Sequence, residues 1–252
     1  MTLDLQRAAQ RRMRRAVITL AALVLVLVAA LVVIALRGDD RTGSAPAPAP
    51  ERSTTADPTP VETMPTDAGE YVAPASYVAL PDGAGDVGGL PVEFPRTPEG
   101  AVAMAVASAR NAWSLDAAEV EAGIRAYASA QYRDEMAASA EDGATGNRAF
   151  AGLPEKGPIP RGAALNAWPI GVKWEKKGSA VDVLVLLRVT SVSGAGADPK
   201  TTLVVAPGRA IWESGDWKSD LTDPKPLPDP AEIGTARFNE DGWKAIQEGS
   251  RL

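Results

Sequence analysis

The stretch NAWPIGVKWEKKGSAVDVLVLLRV, residues 166–189, is where the chain's hydrophobic period becomes that of strands. Apolar and polar residues alternate on both sides of Lys177-Gly178, so the stretch reads as a hairpin turning on that dipeptide. In this register Trp174 faces Val181, Val172 faces Val183, Ile170 faces Val185 and Trp168 faces Leu187, all on one side. On the other side Lys173 faces Asp182, an opposite-charge pair directly across. A slip of one residue would send every apolar side chain to the wrong face. Leu184 and Leu186 add an apolar reverse face, which places the second strand centrally in a sheet. Pro169 puts the first strand at an edge or at a bulge.

Downstream, TTLVVA (201–206) reads as a third strand. RAIWESGDWKSDL (209–221) reads as a second hairpin turning at Gly215-Asp216, with Glu213 opposite Lys218 and Trp212 diagonal to Trp217. TDPKPLPDP (222–230) breaks regular structure. A short helix starting after Asp229 or Asn239 closes the chain, docked by Trp243 and Ile246.

Upstream, the period is helical. In FPRTPEGAVAMAVASARNAW (94–113), Thr97 caps a helix that has Pro98 at its first position and Glu99 near its positive end. Val102, Val106, Ala109 and Trp113 form one stripe, and Ala101, Ala105, Ser108 and Ala112 form another. A helix apolar on nearly every side is expected to be buried. A second helix, capped by Asp116 or Ser114, carries Val120, Ile124 and Tyr127 on one face. A third runs from Ser129 through Met136 to about Glu141, followed by a Gly- and Pro-rich loop over 141–162. Helices followed by a four-stranded antiparallel sheet make an α+β domain over residues 90–222, with 223–252 as a Pro-rich segment and closing helix.

Ahead of this domain, residues 16–36 hold no charge, no Pro and no Gly. As a helix that run rises about 30 Å, the thickness of a bilayer's hydrocarbon core. It is longer than a secretory h-region and ends on Arg37-Gly38-Asp39-Asp40 without a small-residue cleavage pattern, so an anchor is expected, with a cleaved signal as the rival. Residues 1–15 carry five Arg against Asp4, which keeps them in the cytoplasm and the bulk of the chain outside the membrane. Residues 37–89, rich in Pro, Thr, Ser and acid, read as a disordered linker.

Three helices, then hairpins ending in Gly215-Asp216-Trp217-Lys218, resemble the nuclear transport factor 2-like superfamily. That likeness implies a curved α+β roll. With a short basic end, one span and a linker, the chain resembles the bitopic inner-membrane subunit of type IV secretion and conjugation channels. FPRTPEGAVAMAVASA (94–109) is also similar to the start of membrane-anchored domains in actinobacterial mobile elements. The resemblance spans about residues 90–221 plus the anchor, implies partner proteins in the envelope, and maps no catalytic residue onto this chain.

Composition narrows the function. The net charge is −6, and residues 1–15 contribute +4, so the remainder carries −10 and a nucleic-acid face is not expected. There is no Cys for a disulfide, thiol chemistry or lipid attachment. There is no His for a Ser-His triad or the usual zinc site. No phosphate-binding loop, metal cluster or nucleophile elbow appears, and GAGDVGG (83–89) lacks the flanking strand and helix of a dinucleotide fingerprint. No cofactor or metal is expected. The leading expectation is a non-enzymatic, single-pass assembly module of a cell-envelope machine, with the bilayer and other envelope proteins as partners. It would dock through sheet edges or a face bearing Trp168, Trp174, Trp212 and Trp217. The alternatives are a module binding a lipid, cell-wall fragment or small apolar ligand in a cavity lined by those Trp residues, or an enzyme using Tyr127, Tyr132, Asp134 or Glu135 in a dry pocket.

Overall fold

The computed structural model describes residues 71–221 and 226–247. The expected anchor at 16–36 and the linker as far as residue 70 lie outside the described residues. Among the described residues, no helix is long and apolar enough to cross a membrane.

Three long strands dominate: β4 (Ala163–Lys177), β5 (Ala180–Ser193) and β6 (Lys200–Glu213). β7 (Asp216–Asp220) extends them on one side. On the other side come β8 (Lys244–Ile246) and then β1 (Tyr77–Val78), giving the order β1-β8-β4-β5-β6-β7. The β1·β8 pair is parallel and the remaining pairs are antiparallel. β2 (Gly85–Val87) and β3 (Leu90–Val92) form a separate two-stranded sheet. The expected roll on a four-stranded antiparallel sheet is therefore corrected to a six-stranded mixed sheet with a small second sheet. β1 and β2 arise in the stretch read as linker, β3 at the first residues of the expected domain, and β8 where a closing helix is expected, and with two or three residues each they are too short to show a period of two.

Both hairpins sit two residues away from the expected register. The first turns on Gly178-Ser179, so Lys177 opposes Ala180 and Trp174 opposes Val183. Gly178 has φ 64°. A primed two-residue turn with Gly first costs little, whereas a turn on Lys177-Gly178 would force a positive φ on Lys177. The second hairpin turns on Ser214-Gly215, with φ 53° and 88°, so Trp212 directly opposes Trp217 and Glu213 opposes Asp216. TTLVVA and RAIWE belong to one continuous strand. Pro207 is accommodated there because, among the described residues, no strand pairs with the outer side of β6 at that point.

A bulge at Ile170 interrupts β4: Pro169 opposes Leu187 and Gly171 opposes Leu186. It reverses the alternation before it, so Ala167 joins the core and Trp168 opposes Arg188, not Leu187. Trp168 is 58% exposed.

Each sheet face has its own cover. On one lies α1 (Pro98–Asn111), capped by Thr97 and buried through Ala101, Val102, Met104, Ala105 and Val106. A Cβ on Gly100 would come 1.9 Å from the Pro95 carbonyl oxygen, so Gly lets the helix start this close to β3's exit. On the other face Phe238, Trp243 and Ala245 pack with Ala231 against Ile170, Leu186 and Val205. This layer comes from α5 (Ala236–Glu240), capped by Thr235, and from β8.

α2 (Ala117–Tyr127) is capped by Asp116. α3 (Arg133–Ala137) is brief, and the expected loop from 141 is replaced by α4 (Ala140–Phe150). Gly143 and Gly146 disfavour a helix there by about 1 kcal/mol each. Tertiary contacts offset this: Ala140 and Ala144 pack on Val120, Asn147 donates to the Ala112 and Ser114 carbonyls, and Arg148 to those of Leu115 and Gly157.

The segment entering the domain is fastened to the C-terminal layer. Val72 N–H donates to Gly234 O at 2.8 Å. The Asn239 side chain accepts from Ala75 N and donates to Ala73 O, and β1 then runs beside β8.

Candidate functional site

Two clefts are lined by residues of the β2–β3 hairpin. The larger, about 860 Å³, lies between that hairpin, α2 and the β6–β7 turn, with Glu93, Arg125, Arg133, Asp216 and Lys218 in its walls. Asp216 is buried, and its Oδ1 accepts from Phe94 N at 3.0 Å and Trp217 N at 2.8 Å. Its Oδ2 accepts from Lys218 Nζ at 2.9 Å, and the same ammonium donates to Ala126 O. The carboxylate thus ties β7 to the start of the segment before α1, and the ammonium ties β7 to α2. Two non-glycine residues in the left-handed region, Glu93 (φ 61°) and Ser214 (φ 53°), lie one residue before Phe94 and two before Asp216. The clip holds backbone that would otherwise relax. Trp217 adds a bond from Nε1 to Pro95 O at 2.8 Å.

The second cleft, about 680 Å³, is lined by the C-terminal end of α1, Trp113, Leu90, Ile159, and Leu165 to Ala167 of β4. Tyr127 also lines it. This phenol is 2% exposed and its hydroxyl has no hydrogen-bond partner. Burial, then the negative charges of Asp216 and Asp86, push its pKa well above the ordinary value of 10.0. It therefore stays protonated, a donor, at neutral pH. A folded-state pKa above the unfolded one means that the folded state holds the proton longer. Stability present below pH 10 is then lost as pH rises beyond it. Chemical denaturation from pH 8 to 11 should show a steeper alkaline decline in the native protein than in Tyr127→Phe. Equal slopes would contradict the assignment.

The other residues considered for an enzymatic site do not join Tyr127 in a dry pocket. The Asp134 side chain is 96% exposed and stands 3.6 Å from Arg125. Glu135 is exposed, and Tyr132 accepts a hydrogen bond from Gln131. Among the described residues, no group of three or more His, Cys, Asp or Glu side chains could hold a metal ion.

The four strand Trp residues do not line one cavity. Trp212 and Trp217 meet edge to face with centroids 5.3 Å apart, and the Arg96 guanidinium lies 5.2 Å from the Trp212 ring. Trp174 packs on the helix-side core with the Lys244 ammonium 3.9 Å above its ring. Trp168 is exposed, with Arg110 5.8 Å from its ring. The indole that does line a cleft is Trp113, packed edge to face on Phe150 at 5.0 Å. Asp216 carries no signal of burial in the sequence, since Gly215-Asp216 reads equally well as a solvated turn.

No protein-family model, curated protein or solved structure matches the chain.

Proposed function

We propose that this chain is a membrane-anchored interaction module of a cell-envelope assembly, and that its folded domain receives a partner along the free edge of β4. The observation that carries this reading is the first part of β4. From Ala163 to Pro169, β4 has β5 on one side and, among the described residues, no strand on the other, because β8 pairs only with Gly171 and Val172. Unpaired strand edges are templates for another chain, and proteins usually blunt them with charge or cover. Gly162 to Val172 contains no charged residue, and Trp168 stands exposed at this edge. The other edges are less inviting. β1 has two residues, and β7 is flanked by Ala128 and Ser129, the latter donating to Ser219 O. Among the described residues the outer side of β6 before Arg209 is unpaired too, but Pro207 lies within it, whereas Pro169 only closes the β4 stretch at its bulge, and no large apolar residue is exposed along β6. The uncharged run at 16–36 with its basic flank supports the membrane tether, and the part of the likeness to bitopic channel subunits that rests on a short basic end, one span and a linker favours a conjugative channel as the assembly.

A photoreactive amino acid placed at Asn166 in intact cells, with a matched one at Thr202 on the β6 edge, tests this. The expected result is a discrete adduct with a channel subunit from Asn166 alone, lost when Trp168 is changed to Ala. Equal labelling from both edges, or none from Asn166, would defeat the reading.

A further inference from the structure

The cleft beside Trp113 shares Leu165 to Ala167 with the β4 edge, but it rests on different observations, a cavity and a buried hydroxyl, and its test reads small-molecule labelling, not protein adducts. Its volume, about 680 Å³, falls within the roughly 300–1,000 Å³ typical of small-molecule sites. Its walls are mixed: Trp113, Leu90, Leu165 and Ile159 supply apolar surface on one part, with Ile159 40% exposed, and Asn111, Ser114 and Asn166 supply neutral polar groups on another. Tyr127 lines the same cleft with a buried hydroxyl bonded to nothing. Leaving such a donor unpaired costs about 1–3 kcal/mol relative to satisfying it, and buried orphan donors in folded proteins call for an explanation. Charge does not favour an ionic ligand. Arg110 is offset by Asp116 and Glu119, which are engaged locally: Asp116 caps α2 and Glu119 accepts from the Ser114 hydroxyl.

We infer that this cleft binds an uncharged, apolar molecule through one acceptor oxygen, a carbonyl or ester, that takes the hydrogen bond of the Tyr127 hydroxyl. The apolar body lies between Trp113 and Leu165. Because the hydroxyl is closed to solvent, one wall moves as the acceptor arrives. That wall is Leu90-Pro91 at the turn end of β3, which is only partly buried, whereas the other end is held by Val92 in the core and by Phe94 N–H on Asp216.

Benzophenone suits the test, being uncharged and apolar, with a single carbonyl oxygen, and labelling its neighbours on irradiation. The full chain, purified in detergent, is irradiated over a range of benzophenone concentrations and the labelled peptides are mapped. Saturable labelling confined to Trp113 and residues 159–167 is expected. Tyr127→Phe should raise the half-saturating concentration about fivefold, the effect of one neutral hydrogen bond, with an unfolding midpoint no lower than native. Asn166→Trp, at an exposed position on the rim, should suppress the labelling. Displacement by mono-oleoylglycerol assigns the natural ligand to membrane lipids, and displacement by 2-octanone alone assigns it to free small molecules. Labelling that does not saturate, or an unchanged half-saturation in Tyr127→Phe, overturns the inference.

Discussion

A chain ending at residue 230 should show no cooperative unfolding transition. The removed segment supplies Ala231, Phe238, Trp243 and Ala245, the cover for Ile170, Leu186 and Val205 on the back of the sheet. Phe238 and Trp243 are 0% and 1% exposed. Replacing either by Ala should cost about 3–5 kcal/mol through lost transfer energy and an unfilled cavity. The two losses together equal or exceed much of the roughly 5–15 kcal/mol that holds a domain folded. The deletion also removes β8, which among the described residues is the one strand paired with β1, and leaves Gly171 and Val172 without that partner. Urea titration followed by Trp fluorescence provides the check, with Trp168→Ala as the contrast: that exposed indole should cost less than about 1 kcal/mol. A sharp transition in the shortened chain, with native-like amplitude, would show that the back layer is dispensable.

Asp216→Ala should destabilise the domain by about 3–5 kcal/mol, the usual cost of removing one partner from a buried ion pair. The Lys218 ammonium, its side chain only 15% exposed, would lose its carboxylate and keep Ala126 O. Phe94 N–H would lose its acceptor at the point where Glu93 is held at φ 61°. Asp216→Asn keeps an acceptor for the two backbone donors and should cost less. If Asp216→Ala and Asp216→Asn prove equally mild, within about 1 kcal/mol of native in denaturant titration, the clip between β3, α2 and β7 has been overvalued.

Local chemistry was readable in advance where one residue decides the outcome. Thr97 and Asp116 cap α1 and α2 because their side-chain oxygens accept from Gly100 N and Ala118 N, which a cap is chosen to do. The faces of the hairpins were readable too: Trp174, Val183 and Val185 share one core whichever of the two registers is drawn. The registers were not, because a period of two is unchanged by a shift of two, and only turn conformation distinguishes the alternatives. Trp168 and Ile170 lie off the face expected for them, Ile170 in the back layer with Leu186, because the bulge at Ile170 leaves no mark in the sequence beyond the neighbouring Pro169. β1 and β8 are set by pairing with distant partners, so nothing local announces them. Of the cleft beside Trp113, Tyr127 could be singled out as an aromatic with a polar end on an apolar helix stripe. Its company could not, since Leu90, Trp113 and Leu165 come from three separate stretches of chain.

The seam between β1 and β8 determines how the domain bears a load. Tension arriving from the N-terminal side reaches Val72 first and passes along Ala73, Ala75 and β1, whose bonds run to Gly234, Asn239 and β8. Because β1 and β8 run in the same direction, a pull along β1 strains these bonds in shear, several together, instead of opening them one at a time. The force is thereby delivered to the back layer and, through Gly171 and Val172, to β4, the strand whose other reach lies open at Trp168. β8 meets β4 just beyond the free edge, so a partner held at the edge and a pull arriving through the seam would load neighbouring parts of one strand.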